Sequence, residues 1–264
     1  MKILIVGYGF MGRALGESWR KSGITSKVLA VDPMLDNPAD GYFPSFDCLL
    51  SSDDAIRFDL VVLAVKPGLI ADVVASIPSF FYTDAVVLSV AAGITLANLE
   101  SVLPAGTQVA RAMPNTPIAV GAGCTGLFAG PSVGDCQREG LLQLFRSAGV
   151  AFWLRNEAEI DAVTAISGSG PAYYHLFSEA LAQAAVILGL APDVACALAA
   201  NTAWGAALQQ KSAPNDLQAL RSAVTSPNGT TAAAVTVFEN QQGLRTLVRE
   251  AVDAAHHRAR ELAQ

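Results

Sequence analysis

Thr225-Ser226-Pro227-Asn228-Gly229-Thr230-Thr231 gathers hydroxyl side chains and turn formers directly ahead of an Ala-rich helical pattern. The first N–H groups of a helix have no partner inside it, so such a start is a ready site for a carboxylate. Far upstream, Gly7-Tyr8-Gly9-Phe10-Met11-Gly12 is a GxGxxG between an apolar strand pattern and a helical one. Gly7 permits the tight turn, Gly9 lets backbone approach a pyrophosphate, and Gly12 lets helix and strand pack closely. Asp32 closes the next strand pattern. A carboxylate there accepts hydrogen bonds from the adenosine ribose and repels a 2′-phosphate, which favours NADH over NADPH. Capping of a local turn is the alternative use of the same side chain.

These residues need elements to hold them. Over residues 1–155, apolar runs at 3–6, 28–31, 60–65, 85–90, 108–112, 123–128 and 151–154 alternate with helical patterns at 11–22, 69–77, 96–102 and 133–147. Near-continuous apolar strands separated by helices predict a largely parallel, doubly wound α/β sheet of Rossmann type. Val65-Lys66-Pro67 and Ala91-Ala92-Gly93 leave the C-terminal ends of two strands, where such a sheet binds ligands, and their small residues leave room for a flat ring. Arg111-Ala112-Met113-Pro114-Asn115-Thr116-Pro117 follows a third strand; its prolines fix a rigid turn that also fits a purely structural corner.

Beyond residue 155 the strand signals stop. Helical patterns run over about 157–166, 171–189, 192–211, 215–223, 230–239 and 241–263, punctuated by Gly189, Pro192, Pro214, Pro227 and Gly243. Pro171, after Ser167-Gly168-Ser169-Gly170, suits a first helical turn. Several of these helices are apolar on more than one face, more than so small a domain can bury. The expected organisation is an NAD(P)-binding domain over 1–155 and an all-α dimerisation and substrate domain over 156–264.

Composition removes other classes. Hydrophobic residues make up 52% and charged residues 15%, which excludes disorder. A net charge of −6 argues against nucleic acid or an anionic membrane as partner. The apolar run after Met1 stops at Gly7, too short for a signal peptide, and no stretch reaches the roughly 18 apolar residues of a membrane span. Cys48, Cys124, Cys136 and Cys196 form no CxxC pair, so reduced, buried thiols in the cytoplasm are expected, with no metal. His175, His256 and His257 are read as solvated or packed.

Over essentially its whole length the chain resembles the pyrroline-5-carboxylate reductases. The likeness rests on Gly7–Gly12, Val65-Lys66-Pro67, Ala91-Ala92-Gly93, Met113–Pro117, Ser167–Tyr173, Thr225–Thr231 and the pattern from Arg245 to Leu262. It implies a Rossmann domain followed by a helical domain intertwined with its mate, as a homodimer or a larger homo-oligomer with active sites shared between subunits. It implies NAD(P)H as cofactor and a small-molecule substrate. By the same resemblance, Ser226 and the N–H groups of Gly229 and Thr230 hold the substrate carboxylate, and Thr231 faces the ring nitrogen. Met113, Asn115 and Pro171 border the nicotinamide pocket. Asn228 departs from the family's second glycine, though asparagine tolerates positive φ. Asp32 departs from the Asn-Arg type of many NADPH-preferring relatives, and the stretch between Asp32 and Leu60 shows no clear helix among Pro33, Pro38, Gly41 and Pro44.

A protonated cyclic imine is already a strong hydride acceptor, so its reduction needs positioning more than acid–base help. Hydroxyacid dehydrogenases of the same layout use a lysine on the long helix of the second domain, whereas here Lys211 is the only lysine after Lys66. Imine chemistry is therefore expected, with a six-membered piperideine carboxylate as the alternative substrate. A non-catalytic NAD(H)-sensing dimer is the alternative of another class.

Overall fold

Strand β1 (Lys2–Val6) is apolar on both faces because both are covered. Ile3 and Ile5 enter one core cluster with Leu15, Trp19 and Phe145, while Leu4 and Val6 enter another with Val74, Phe81 and Leu99. The computed structural model of the chain describes residues 1–35, 41–52, 57–213 and 216–262. Asp36, Pro38, Pro214, Asn215 and Ala263 lie outside the described residues.

The remaining strands are β2 (Lys27–Val31), β3 (Tyr42–Phe43), β4 (Leu60–Leu63), β5 (Val86–Ser89), β6 (Gln108–Met113), β7 (Gly123–Ala129) and β8 (Gly149–Trp153). They form one sheet in the order β3-β2-β1-β4-β5-β6-β7-β8. Pairing is parallel from β3 through to β6, with Ile5 opposite Ala30 on one side and Val62 on the other. β7 runs antiparallel to β6, because the turn Thr116–Val120 between them is too short for a crossover helix. The doubly wound Rossmann-type architecture is thus the one the periodicity predicts.

Helices α1 (Phe10–Ser22) and α5 (Asp135–Arg146) cover one face, locked by an edge-to-face contact of Trp19 on Phe145 with ring centroids 5.4 Å apart. Helices α2 (Phe46–Leu50), α3 (Ile70–Ser76) and α4 (Leu96–Val102) supply Leu49, Val74 and Leu99 to the other core. The segment without a clear helical pattern therefore holds β3 and α2; Ser45 caps the short helix by accepting from the Cys48 N–H at 3.2 Å. Cys48, Cys136 and Cys196 are exposed and Cys124 is half-buried, all four free, which corrects the expectation of buried thiols. Scattered cysteine spacing says nothing about which face of an element a thiol occupies.

The chain separates into two compact units, one comprising Met1–Ser169 with the final residues from Ala255, the other Gly170–Ala254. The first includes α6 (Glu159–Val163) and a wide π-type turn over Thr164–Gly168. The second contains α7 (Gly170–Ile187), α8 (Pro192–Ser212), α9 (Leu217–Ala223), α10 (Thr230–Glu239) and the start of α11 (Gly243–Leu262). Its tight packing is between α7 and α8 through Ala182, Ala195 and Ala199. Tyr174, Leu176, Trp204 and Leu247 stay at least 63% exposed. So much apolar surface on one unit is a protein-association surface. Among the described residues no helix is long and apolar enough to cross a membrane.

One buried charge ties the sheet to the segment leaving it. The Arg111 side chain is 4% exposed and its Nη1 donates to Glu157 Oε1 at 2.7 Å. The same oxygen accepts from the Leu96 N–H at 2.6 Å, joining β6, the start of α4 and the approach to α6. Glu157→Ala leaves the guanidinium buried and unpaired, so a loss of about 3 kcal/mol of stability is expected. The urea midpoint at fixed protein concentration reads it, and an unchanged midpoint rejects the pair as a stabilising contact.

Candidate active site

At the end of β1 the chain turns at Gly7, which sits at φ +91°, and a Cβ there would meet Val65 Cγ1 at 2.7 Å and Ala64 O at 2.8 Å. A Cβ on Gly12 would lie 2.1 Å from Gly7 O, so α1 reaches the loop only as glycine. At Gly9 no atom lies within 4 Å of the Cβ position, which leaves open space in front of the loop. The Gly7–Gly12 loop, with Tyr8, Phe10 and Met11, is thus a cradle closed behind and open in front, as a pyrophosphate requires. The residues present fit a dinucleotide.

Asp32 is half-buried behind this loop. Its Oδ2 accepts from the Tyr8 N–H at 2.6 Å and its Oδ1 from the Met34 N–H at 2.8 Å. The turn-capping role is therefore present, and each oxygen keeps a further lone pair for an outside donor. Val65 packs against the Gly7 turn, Lys66 is exposed ahead of a short turn starting at Pro67, and Ala91 is buried with its N–H on Ser89 Oγ. Gly93, at φ +77°, lies against the end of α11, where a Cβ would come 2.4 Å from Leu262 O. Ala92 between them is half-buried.

Met113 and Asn115 are each 6% exposed. Asn115 Nδ2 donates to Ser167 O at 2.9 Å and its Oδ1 accepts from the Cys124 N–H at 2.8 Å. Both ends of the amide are used to hold the wide turn Thr164–Gly168 against β7. That turn escapes sequence reading, although the weak helix formers of Ser167-Gly168-Ser169-Gly170 mark its place; such turns recur at functional sites. Pro171 occupies the first turn of α7 as expected.

In the second unit Asn228 adopts φ +57°, a conformation that asparagine tolerates better than most residues. The Gly229 N–H closes the turn onto Ser226 O at 3.0 Å, and Thr225 Oγ1 donates to Arg221 O at 2.6 Å. Gly229 is then the extended residue before α10, without a side-chain cap. Ser226, Thr230 and Thr231 are exposed around it. Arg221 and Arg245 are committed to Glu239, at 2.6 and 2.7 Å, and Arg245 first, then Arg221, holds that carboxyl below the usual range.

The helix starts separate into two kinds. Among α-helices entered from an extended residue, α2 and α4 have side-chain caps, while α5 and α8 carry Asp135 and Asp193 in the first turn. α1 and α10 begin after Gly9 and Gly229 with neither a cap nor an acidic residue. Their positive ends await a ligand's charge.

A glycine cradle at the C-terminal end of a parallel sheet and a second uncapped helix for a carboxylate define an NAD(P)-dependent oxidoreductase acting on a small acid. The sequence model described as "Pyrroline-5-carboxylate reductase dimerisation" matches residues 157–262, and that described as "NADP oxidoreductase coenzyme F420-dependent" matches residues 2–93. A pyrroline-5-carboxylate reductase of Pseudomonas aeruginosa is 39% identical over 267 residues, covering 100% of this chain and 97% of its own. The structure of a pyrroline-5-carboxylate reductase from Coxiella burnetii is similar with a TM-score of 0.86, at 34% identity over 99% of this chain and 98% of that one. That of a Plasmodium falciparum pyrroline carboxylate reductase with NADP bound has a TM-score of 0.85 at 27% identity, covering 100% and 98%. The chain belongs to the pyrroline-5-carboxylate reductase family.

Gly12→Ala is expected to push α1 off the loop and weaken NADH binding about tenfold or more, read by fluorescence titration. An unchanged dissociation constant would remove this loop from cofactor binding.

Proposed function

We propose that this chain reduces pyrroline-5-carboxylate to L-proline with NAD(P)H, the last step of proline biosynthesis. The observation that carries the reading is the start of α10, where Ser226, Thr230 and Thr231 stand exposed around uncapped N–H groups. When bound, NAD(P)H supplies a hydride to the imine carbon. Ser226 Oγ and the N–H groups of Thr230 and Thr231 hold the substrate carboxylate. The Gly229 N–H, expected from the sequence to share this role, is instead taken by Ser226 O at 3.0 Å, and Gly229 sets the direction in which the others point. Pro171 offers the ring an apolar wall at the start of α7. The Thr231 hydroxyl accepts from the iminium N–H, and after the C=N electron pair has moved onto nitrogen it hydrogen-bonds the amine. No side chain has to take a proton, which agrees with Lys211 standing alone after Lys66.

Residues 1–155 serve the cofactor, with Asp32 favouring NADH, and 156–264 serve substrate and dimerisation. The match of the dimerisation model from residue 157 supports that division. Asn115 supports the pocket from behind, since its amide is already engaged at both ends. The assembly is a homodimer, alone or as the unit of a larger ring, sealed through the exposed apolar faces of Tyr174, Leu176 and Trp204.

Turnover of pyrroline-5-carboxylate is followed by loss of nicotinamide absorbance, with NADH and NADPH in parallel. Thr231→Ala is expected to lower kcat/KM by the equivalent of about 1–3 kcal/mol. Wild-type kinetics in that variant removes Thr231 from the reaction, and no turnover by the wild-type protein sinks the assignment. Sedimentation at micromolar concentration is expected to return a dimer or a multiple of it; a monomer would reject the interface.

A further inference from the structure

Behind the cofactor loop lies a hydrogen-bonded chain that none of the motifs contains. Tyr8, the second residue of the glycine fingerprint, is 5% exposed and folds back beneath α1 instead of facing the open cradle. Gly16 makes the room, since a Cβ there would lie 2.9 Å from both Tyr8 Cε2 and Tyr8 Oη. The Tyr8 hydroxyl is 3.1 Å from that of Tyr42 in β3, with the two rings 4.9 Å apart. Arg20, on α1, donates through Nη1 to the Tyr42 oxygen and through Nη2 to Val28 O at 2.6 Å. Its guanidinium also lies over the Tyr42 ring, 4.2 Å from the centroid. The Tyr42 oxygen accepts from Arg20, and either hydroxyl can be the donor in the bond between the two tyrosines.

The backbone carries the chain one step further. The Tyr8 N–H donates to Asp32 Oδ2 at 2.6 Å, and the Asp32 N–H donates to Phe43 O at 3.1 Å. One short strand thus grips Asp32 through the main chain of Phe43 and Tyr8 through the side chain of Tyr42. Burial, then the hydrogen bond with Tyr42, raises the Tyr8 phenol well above its ordinary range, so it stays neutral and bonded.

We propose that Tyr42 is a positioning residue for cofactor selection: held by Arg20, it fixes Tyr8, whose N–H holds the Asp32 carboxylate that discriminates NADH from NADPH. The inference rests on the reading of Asp32 as the ribose acceptor. It assigns β3, a strand of two residues, the role of setting where that carboxylate stands.

The test is a double-mutant cycle on the full-length protein with Tyr42→Phe and Asp32→Asn, titrated with NADH and with NADPH. Tyr42→Phe keeps the ring beneath Arg20 and removes only the hydroxyl. It is expected to raise the Kd for NADH about threefold to tenfold, to leave kcat at saturating NADH unchanged, and to change the Kd for NADPH less. In the Asp32→Asn background the same substitution is expected to change the Kd for NADH by under about twofold, because the group it positions is gone. Equal weakening of both cofactors, or the same factor in both backgrounds, overturns the proposal. Asp32→Asn with an unchanged ratio of NADH to NADPH affinity overturns instead the reading of Asp32 on which it rests.

Discussion

A helix that begins without a cap leaves its first N–H groups unsatisfied, and the proposed function of this protein draws on two such starts. α1 and α10 follow Gly9 and Gly229, each extended and each lacking a side chain that could reach back. Elsewhere the same chain caps its helices with Ser45, Thr95 and Asp216 or places an aspartate in the first turn, as with Asp135. Cap loss costs on the order of 1 kcal/mol per helix, a cost that, in the proposed function, bound pyrophosphate and carboxylate offset with charge.

The rest of the first unit keeps one of these starts in place. α1 touches the loop through Gly12, and the Gly7 turn is packed against Ala64 and Val65 from the neighbouring strand. Strands apolar on both faces lock β1 between β2 and β4, so the loop projects from the best-buried part of the sheet. Arg111 and Asn115 carry that rigidity toward the wide turn before α7, one through Glu157 and the other through Ser167. The second unit is built on a different principle. Its interior is a small alanine contact, and its larger apolar side chains lie outside, so its order is linked to association with another copy.

Reduction of a protonated imine suits these means. The reaction asks for a held carboxylate, a hydride from the nicotinamide and a hydrogen-bonding partner for nitrogen, and in the proposed site hydroxyls and backbone N–H groups do the holding. A site built this way does not depend on a tuned acid or base.

The sequence by itself determined most of the elements, though not β3, α2 or the wide turn Thr164–Gly168, and it determined the two helix starts. The reason is that strand alternation, helix period and turn chemistry are short-range and visible in neighbouring residues. Asn228 shows how far this reaches: asparagine tolerates positive φ, and the turn adopts +57° there. The pairings across the chain were decided only by tertiary structure. Tyr8 and Tyr42 stand 34 residues apart, Arg111 and Glu157 46 apart, and Asn115 and Ser167 52 apart. Burial of Asn115 and exposure of the cysteines likewise depend on which face of an element meets the core. A hydrogen bond needs atoms within about 3 Å, and no local pattern states which distant residue the folded sheet will bring that close.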